Sequence, residues 1–142
     1  MKRVSLILVV ISLMLLSGCT QMEDDVQLAR RVFNDMCAGR QSVESLIDWQ
    51  TLTAIGLEAG QAYSQLRIEK DKKDYRKAFL YNFSSSFKSA GGRSSQFFNW
   101  RSKAQDAAST IVAADTAGQS KVILFTITKI NGQRKLTAIN WE

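Results

Sequence analysis

Apolar residues recur at spacings of three and four from Asp24 to Ala38, where Val26, Ala29, Val32, Phe33, Met36 and Cys37 fall on one stripe. That period predicts an amphipathic helix with one buried face. Glu23, Asp24 and Asp25 suit the positive end of its dipole, and Gly39 is placed to stop it. Ser42-Val43-Glu44-Ser45 reads as the start of a short second helix carrying Leu46 and Ile47 inward, with Asp48 capping the next segment. Thr51 to Ile55 reads as another helical turn ended by Gly56, and Leu57 to Ile68 as a helix with Ala59, Ala62, Tyr63 and Leu66 inward. The strongest pattern is Tyr75, Phe79, Phe83 and Phe87, four aromatics at i, i+4 steps supported by Ala78 and Leu80. It predicts a helix from residue 71 to 89 with an aromatic face, ended by Gly91-Gly92 and lying across a sheet.

Beyond Gly92 the period becomes alternating. Residues 94–104 place Phe98 and Trp100 on one side and Asn99, Arg101 and Lys103 on the other; residues 109–114 are short and β-branched. Residues 120–130 carry Val, Ile, Phe and Thr on both sides, as a central strand does. Asp115 to Gly118 reads as a turn, and Asn131-Gly132 is a strong hairpin signal before a last strand from Arg134 to Trp141. Helices first and strands afterwards is the α+β order, with N-terminal helices packed on one face of a four-stranded antiparallel meander.

The chain starts differently from all of this. Lys2 and Arg3 precede the uncharged apolar run Val4 to Leu16, and the small residues Ser17 and Gly18 precede Cys19. Charged, apolar and small segments in that order predict an export signal over residues 1–18. Its apolar run would span only about 20 Å as a helix, short of the roughly 30 Å of a bilayer core. Leu16-Ser17-Gly18-Cys19 resembles the lipobox of bacterial lipoproteins, which implies a diacylglyceryl group on the Cys19 thiol and cleavage before it. Two or more acyl chains hold a domain stably at a membrane. The same resemblance implies, from Thr20 in place of an aspartate, sorting to the outer membrane of a Gram-negative cell, facing the periplasm. Residues 19–25 then form the lipidated N-terminus and a short tether, and 26–142 a single domain.

Composition narrows the chemistry. Removing 18 of 142 residues leaves 124, one ordinary domain. Lys2 and Arg3 leave with the signal, so 17 cations face 13 anions, well interspersed, as in Glu69-Lys70-Asp71-Lys72-Lys73-Asp74. A nucleic-acid partner would require a basic face, so none is expected. Cys37 is the one cysteine besides Cys19, which leaves no internal disulfide and reads as a core thiol. The absence of histidine removes the commonest general base and zinc ligand, and the pattern calls for no cofactor and no metal.

The helix ending Cys37-Ala38-Gly39, then Ile47-Asp48-Trp49, then the closing Lys135 to Trp141 together resemble the nuclear transport factor 2-like superfamily. That resemblance implies a cone-like sheet wrapped around helices, often with an apolar cavity; a strand or hairpin between the early and late helices is usual there, whereas residues 57–90 read as helical. Enzymes of that superfamily place an aspartate or histidine base in the cavity. Asp48, set between apolar neighbours, is the corresponding candidate here, with Tyr63 or Tyr75 as hydrogen-bond donors to an oxyanion; the favoured reading of its carboxylate is a helix cap or a surface group. Tyr75, Phe79, Phe83 and Trp100 are either the lining of a pocket for a lipid-like or aromatic ligand, or core. The expected function is a non-catalytic binding or protein-interaction module, taking an apolar small molecule or an envelope protein. A small isomerase or hydrolase using Asp48, and a structural accessory of an envelope complex, are the alternatives. Dimerisation through the sheet face would put Arg101, Lys103 and Lys129 at its rim.

Overall fold

The computed structural model describes residues 23–142; the expected signal segment over 1–18 and the expected lipidation site Cys19 lie outside them. Helix α1 (Asp25–Ala38) begins where the Asp24 carboxylate accepts from the Gln27 amide at 2.8 Å. It ends at Gly39, whose φ of 71° lets the amides of Gly39 and Arg40 reach the carbonyls of Met36 and Asp35 at 3.0 and 2.9 Å. The stripe read from the sequence is its buried face: Ala29, Val32, Phe33 and Met36 are at most 1% exposed. A 3-10 turn (Gln41–Leu46), the two-residue strand β1 (Thr53–Ala54) and the short helix α2 (Ala59–Ser64) come next. The long helix α3 (Glu69–Ser89) stops at Gly91-Gly92, as expected. A 3-10 turn (Ser94–Gln96) then leads into β2 (Phe97–Gln105), β3 (Ser109–Thr116), β4 (Val122–Ile130) and β5 (Gln133–Trp141).

The class is α+β. The four later strands form the expected antiparallel meander, with Asn131 (φ 49°) and Gly132 (φ 79°) making the two-residue turn between β4 and β5. The sheet is nevertheless five-stranded and mixed, in the order β1-β5-β4-β3-β2, because β1 pairs in parallel with β5 through Thr53↔Ala138 and Ala54↔Ile139. It is open rather than closed. Ile47 bridges Leu136 on the same side, so residues 47–54 run along β5. β2 is the other edge, interrupted by bulges between Phe98 and Arg101 and between Ser102 and Ala104.

Three expectations change. Residues 51–55 are not helical: Leu52 and Ala54 point inward, and the Ile55 amide donates to the Ile139 carbonyl at 2.8 Å. Three alternating residues are too few to display a period, and β-branched Thr53 favours the extended form. Of residues 57–68 only 59–64 are helical, and Leu57 and Ile68 on either side are 65% and 62% exposed. The helix lying on the sheet is α1, not the aromatic α3; α1 touches β2 to β5, and α3 packs chiefly on α1 and the 41–46 turn. Ser84 on α3 fixes that crossing, donating to the Cys37 carbonyl at 2.7 Å, while a Cβ on Gly39 would sit 3.3 Å from the Ser84 side chain. The core is therefore the α1 stripe against Val112, Ala114, Ile123, Phe125, Ile127, Leu136 and Ile139. Phe97, not Phe98, enters it, and the bulge at Asn99 (φ 52°) brings Trp100 to the same side as Phe97.

Candidate functional site: an apolar groove beside the long helix

Tyr75, Phe79, Phe83 and Phe87 of α3 are half-buried. On the inner side Tyr75 lies 5.9 Å from the Tyr63 ring, Phe79 5.6 Å from Trp49, and Phe83 and Phe87 6.4 and 6.0 Å from Phe33. Their outer side lines a groove of about 580 Å³ whose other wall is Ala54, Ile55 and Leu57. From Tyr75 to Phe87 the groove follows the helix for about 18 Å. Ala78, Asn82, Ser86 and Ala90 complete it, so no acid, lysine or arginine lines it. That neutrality is local: α3 opens with Glu69-Lys70-Asp71-Lys72-Lys73-Asp74 yet carries no charge from Ala78 to Phe87.

The second wall is held at a cost. Ala54 and Leu57 exchange both backbone hydrogen bonds at 3.0 Å around Ile55-Gly56, with φ of 51° and 81°. This is a two-residue turn with positive φ at both positions, where Asn-Gly is usual. A β-branched residue in the left-handed region is strained by about 1–3 kcal/mol. The result is that Ile55 and Leu57, 45% and 65% exposed, stand over the aromatic floor.

The sequence candidates separate. Tyr75, Phe79 and Phe83 line the groove together. Tyr63 is buried behind them and its hydroxyl accepts from Arg76 at 2.8 Å, while the Tyr75 hydroxyl donates to the Ala59 carbonyl at 3.1 Å. Both phenols are thus engaged in holding α2 against α3. Asp48 is not a wall of the groove; its carboxylate accepts from the Thr51 hydroxyl and its amide bonds the Leu136 carbonyl at 3.0 Å, and it starts a turn rather than capping a helix. Trp100 lies elsewhere, stacked on Phe125 at 5.1 Å and facing a different, polar cleft of about 630 Å³ between α1 and β2. Arg101 pairs with Asp115 at 2.8 Å, Lys103 with Glu142, and Lys129 is exposed. Ile55, Leu57 and Phe87 complete what sequence reasoning missed as lining; Phe87 was visible in the i, i+4 series, whereas a left-handed isoleucine gives no sequence signal.

No protein-family model, curated protein or solved structure matches this chain. Among the described residues no group of acids and cysteines is placed to hold a metal, and no helix is long and apolar enough to cross a membrane.

Cys37 bears on the chemistry too. It is 5% exposed, and burial pushes its thiol up to about 12. A thiol kept protonated is neither nucleophile nor ligand at neutral pH. Native protein should therefore leave Cys37 unmodified by iodoacetamide at pH 7.5 under conditions that alkylate it in urea; comparable native labelling would show that the helix crossing opens. The unfolded thiol ionises near 9 and the folded one near 12. Native protein thus holds the extra proton in that window, and the Cys37 contribution lowers stability as pH rises from about 9 towards 12, with no effect below. A Cys37→Ser comparison of denaturation midpoints at pH 7 and pH 10 measures it.

Proposed function

We propose that this domain is a non-catalytic binding module, lipid-anchored through Cys19 and facing the periplasm from the outer membrane, whose groove takes the aliphatic chain of a lipid-like molecule. The observation that carries the reading is the neutral apolar groove with a strained wall. A volume near 580 Å³ falls within the usual range of small-molecule sites, and an apolar floor with a neutral rim suits an uncharged chain. Backbone strain tends to persist where the shape it produces is used. The lipobox-like Leu16-Ser17-Gly18-Cys19 supports the anchor, and Thr20 supports the outer-membrane address. The catalytic alternative lacks a geometry, since Asp48 lies outside the groove and both phenols beside it are engaged.

The test combines native mass spectrometry of the purified protein with titration by N-phenyl-1-naphthylamine, an uncharged apolar fluorophore. Wild type should retain an extractable apolar compound or bind the fluorophore. Ala78→Glu, on an exposed position of the wall, should weaken binding at least tenfold without changing the melting temperature. Ile55→Asn should do two opposite things: stabilise the fold by about 1 kcal/mol by relieving the left-handed isoleucine, and weaken the fluorophore by removing a wall. A bare native mass together with fluorophore binding indifferent to both variants would reject the groove as the site. Cross-linking from position 57 in intact envelopes would then test the accessory-protein alternative.

A further inference from the structure

The polar cleft between α1 and β2 is built differently from the groove. Gln27, Arg30 and Asn34 stand at i, i+3 and i+7 on the outer face of α1 and form one wall. Ser94 and Ser95 form its end, and Phe98 part of the opposite wall. No acid lines it. Of the arginines nearby, Arg31 pairs with Glu23, Arg40 with Asp35 at 2.7 Å, and Arg101 with Asp115 at 2.8 Å. Arg30 has no ion-pair partner among the described residues, and the side-chain amides of Gln27 and Asn34 have no hydrogen-bond partner there, although Asn34 is half-buried.

The facing strand carries an exposed aromatic beside a bulge. Asn99 sits at φ 52° in a bulge; its side-chain amide donates to Asp115 at 2.8 Å, and Arg101 donates to both the Asn99 carbonyl at 2.9 Å and Asp115. That bracket holds the bulge closed, and hydrogen bonds from Asn99 and Arg101 keep the Asp115 carboxyl below its ordinary range. Phe98, just before the bulge, points away from the buried Phe97 by ordinary strand alternation and is 50% exposed in the lining of the cleft. Bulges are common next to functional sites.

We propose that this cleft is a second binding site, for a sugar that bears a carboxylate. A guanidinium takes a carboxylate in a planar, two-pronged pair. Amides and hydroxyls both donate and accept, which matches sugar hydroxyls that do the same. An exposed ring offers the apolar C–H face of a sugar a flat apolar surface, in a cleft that no acid repels an anion from. The site shares no lining residue with the apolar groove, so it stands or falls independently of it.

The experiment is calorimetric titration of the detergent-solubilised full chain with glucuronic acid and N-acetylmuramic acid, each against its neutral counterpart, glucose or N-acetylglucosamine, and against lactate. At least one acidic sugar should bind ten or more times tighter than its neutral counterpart and than lactate. Arg30→Gln should reduce that sugar to the level of the neutral one, since a hydrogen bond to a charged group is commonly a tenfold effect or more. Phe98→Ala should weaken the acidic sugar about tenfold while leaving lactate unchanged. Both side chains are exposed, and unchanged melting temperatures would confirm folding. Ala78→Glu, in the apolar groove, should leave the affinity unaltered. Absence of binding by both acidic sugars, lactate binding as tightly as they do, or an Arg30→Gln variant that binds like wild type would each overturn the proposal.

Discussion

Phe33→Ala should lower unfolding stability by about 3–5 kcal/mol, measured by urea denaturation at neutral pH. Phe33 is 1% exposed at the middle of α1, and five aromatic rings surround it: Phe97 at 4.8 Å, Phe125 at 5.1 Å, Phe87 at 6.0 Å, Trp100 at 6.1 Å and Phe83 at 6.4 Å. Those five come from α3, β2 and β4, so no single element can move in to fill the space. A domain of this size commonly has about 5–15 kcal/mol in total, so the variant would sit close to unfolding at ambient temperature. Phe33→Leu, which restores much of the volume, should recover most of the loss. A cost below about 1 kcal/mol for the alanine variant would mean that α1 does not occupy the centre of the core.

Gly60→Ala should cost about 1–3 kcal/mol even though alanine is the better helix former by about 1 kcal/mol. A Cβ at residue 60 would lie 2.5 Å from the Gln50 carbonyl oxygen and 2.9 Å from the Leu52 nitrogen. Neither backbone atom can swing aside as a flexible side chain would, and the Gly60 amide is itself bonded to the Leu52 carbonyl at 2.8 Å. Relief requires α2 to part from residues 50–52, the segment that runs into β1 and the Ile55 turn. The same variant should therefore weaken N-phenyl-1-naphthylamine binding through the wall it displaces. Gln61→Ala, one residue on and exposed, should change stability by less than about 0.5 kcal/mol. Equal stability of the two variants would show that α2 is not seated on that backbone.

The elements that were legible in the sequence are those long enough to repeat a period. The α1 stripe from Val26 to Cys37 and the α3 stripe from Tyr75 to Phe87 each run for about three turns, and each helix ends by a glycine that adopts the left-handed conformation, Gly39 and Gly91. The Asn131-Gly132 turn is local chemistry, readable from two residues. Periodicity does not say which helix lies against the sheet. Four phenylalanine and tyrosine rings suggested α3, but a ring can be half-buried along its edge, and the smaller Ala29, Val32 and Met36 are the ones the sheet encloses. β1 escaped notice because it has two residues and takes its hydrogen bonds from β5, a partner 85 positions away, Thr53 to Ala138. The aromatic half of the groove was thus visible as Tyr75, Phe79 and Phe83, and the aliphatic half was not. Trp100 was misplaced with them because a bulge at Asn99 cannot be read from alternation, and it belongs instead to the polar cleft.

The two borders of the sheet bear on how such a domain behaves when crowded. Along β5, residues from Leu136 to Ile139 are already engaged by Ile47, Asp48, β1 and the Ile55 amide, so that margin offers little free backbone. Along β2 the backbone is free, but two bulges and the charged Arg101 and Lys103 leave no straight run on which another strand could register. Strand-by-strand polymerisation is thereby discouraged at both margins. Two-dimensional confinement, which raises the rate of encounter between identical molecules, can then be borne without fibre formation.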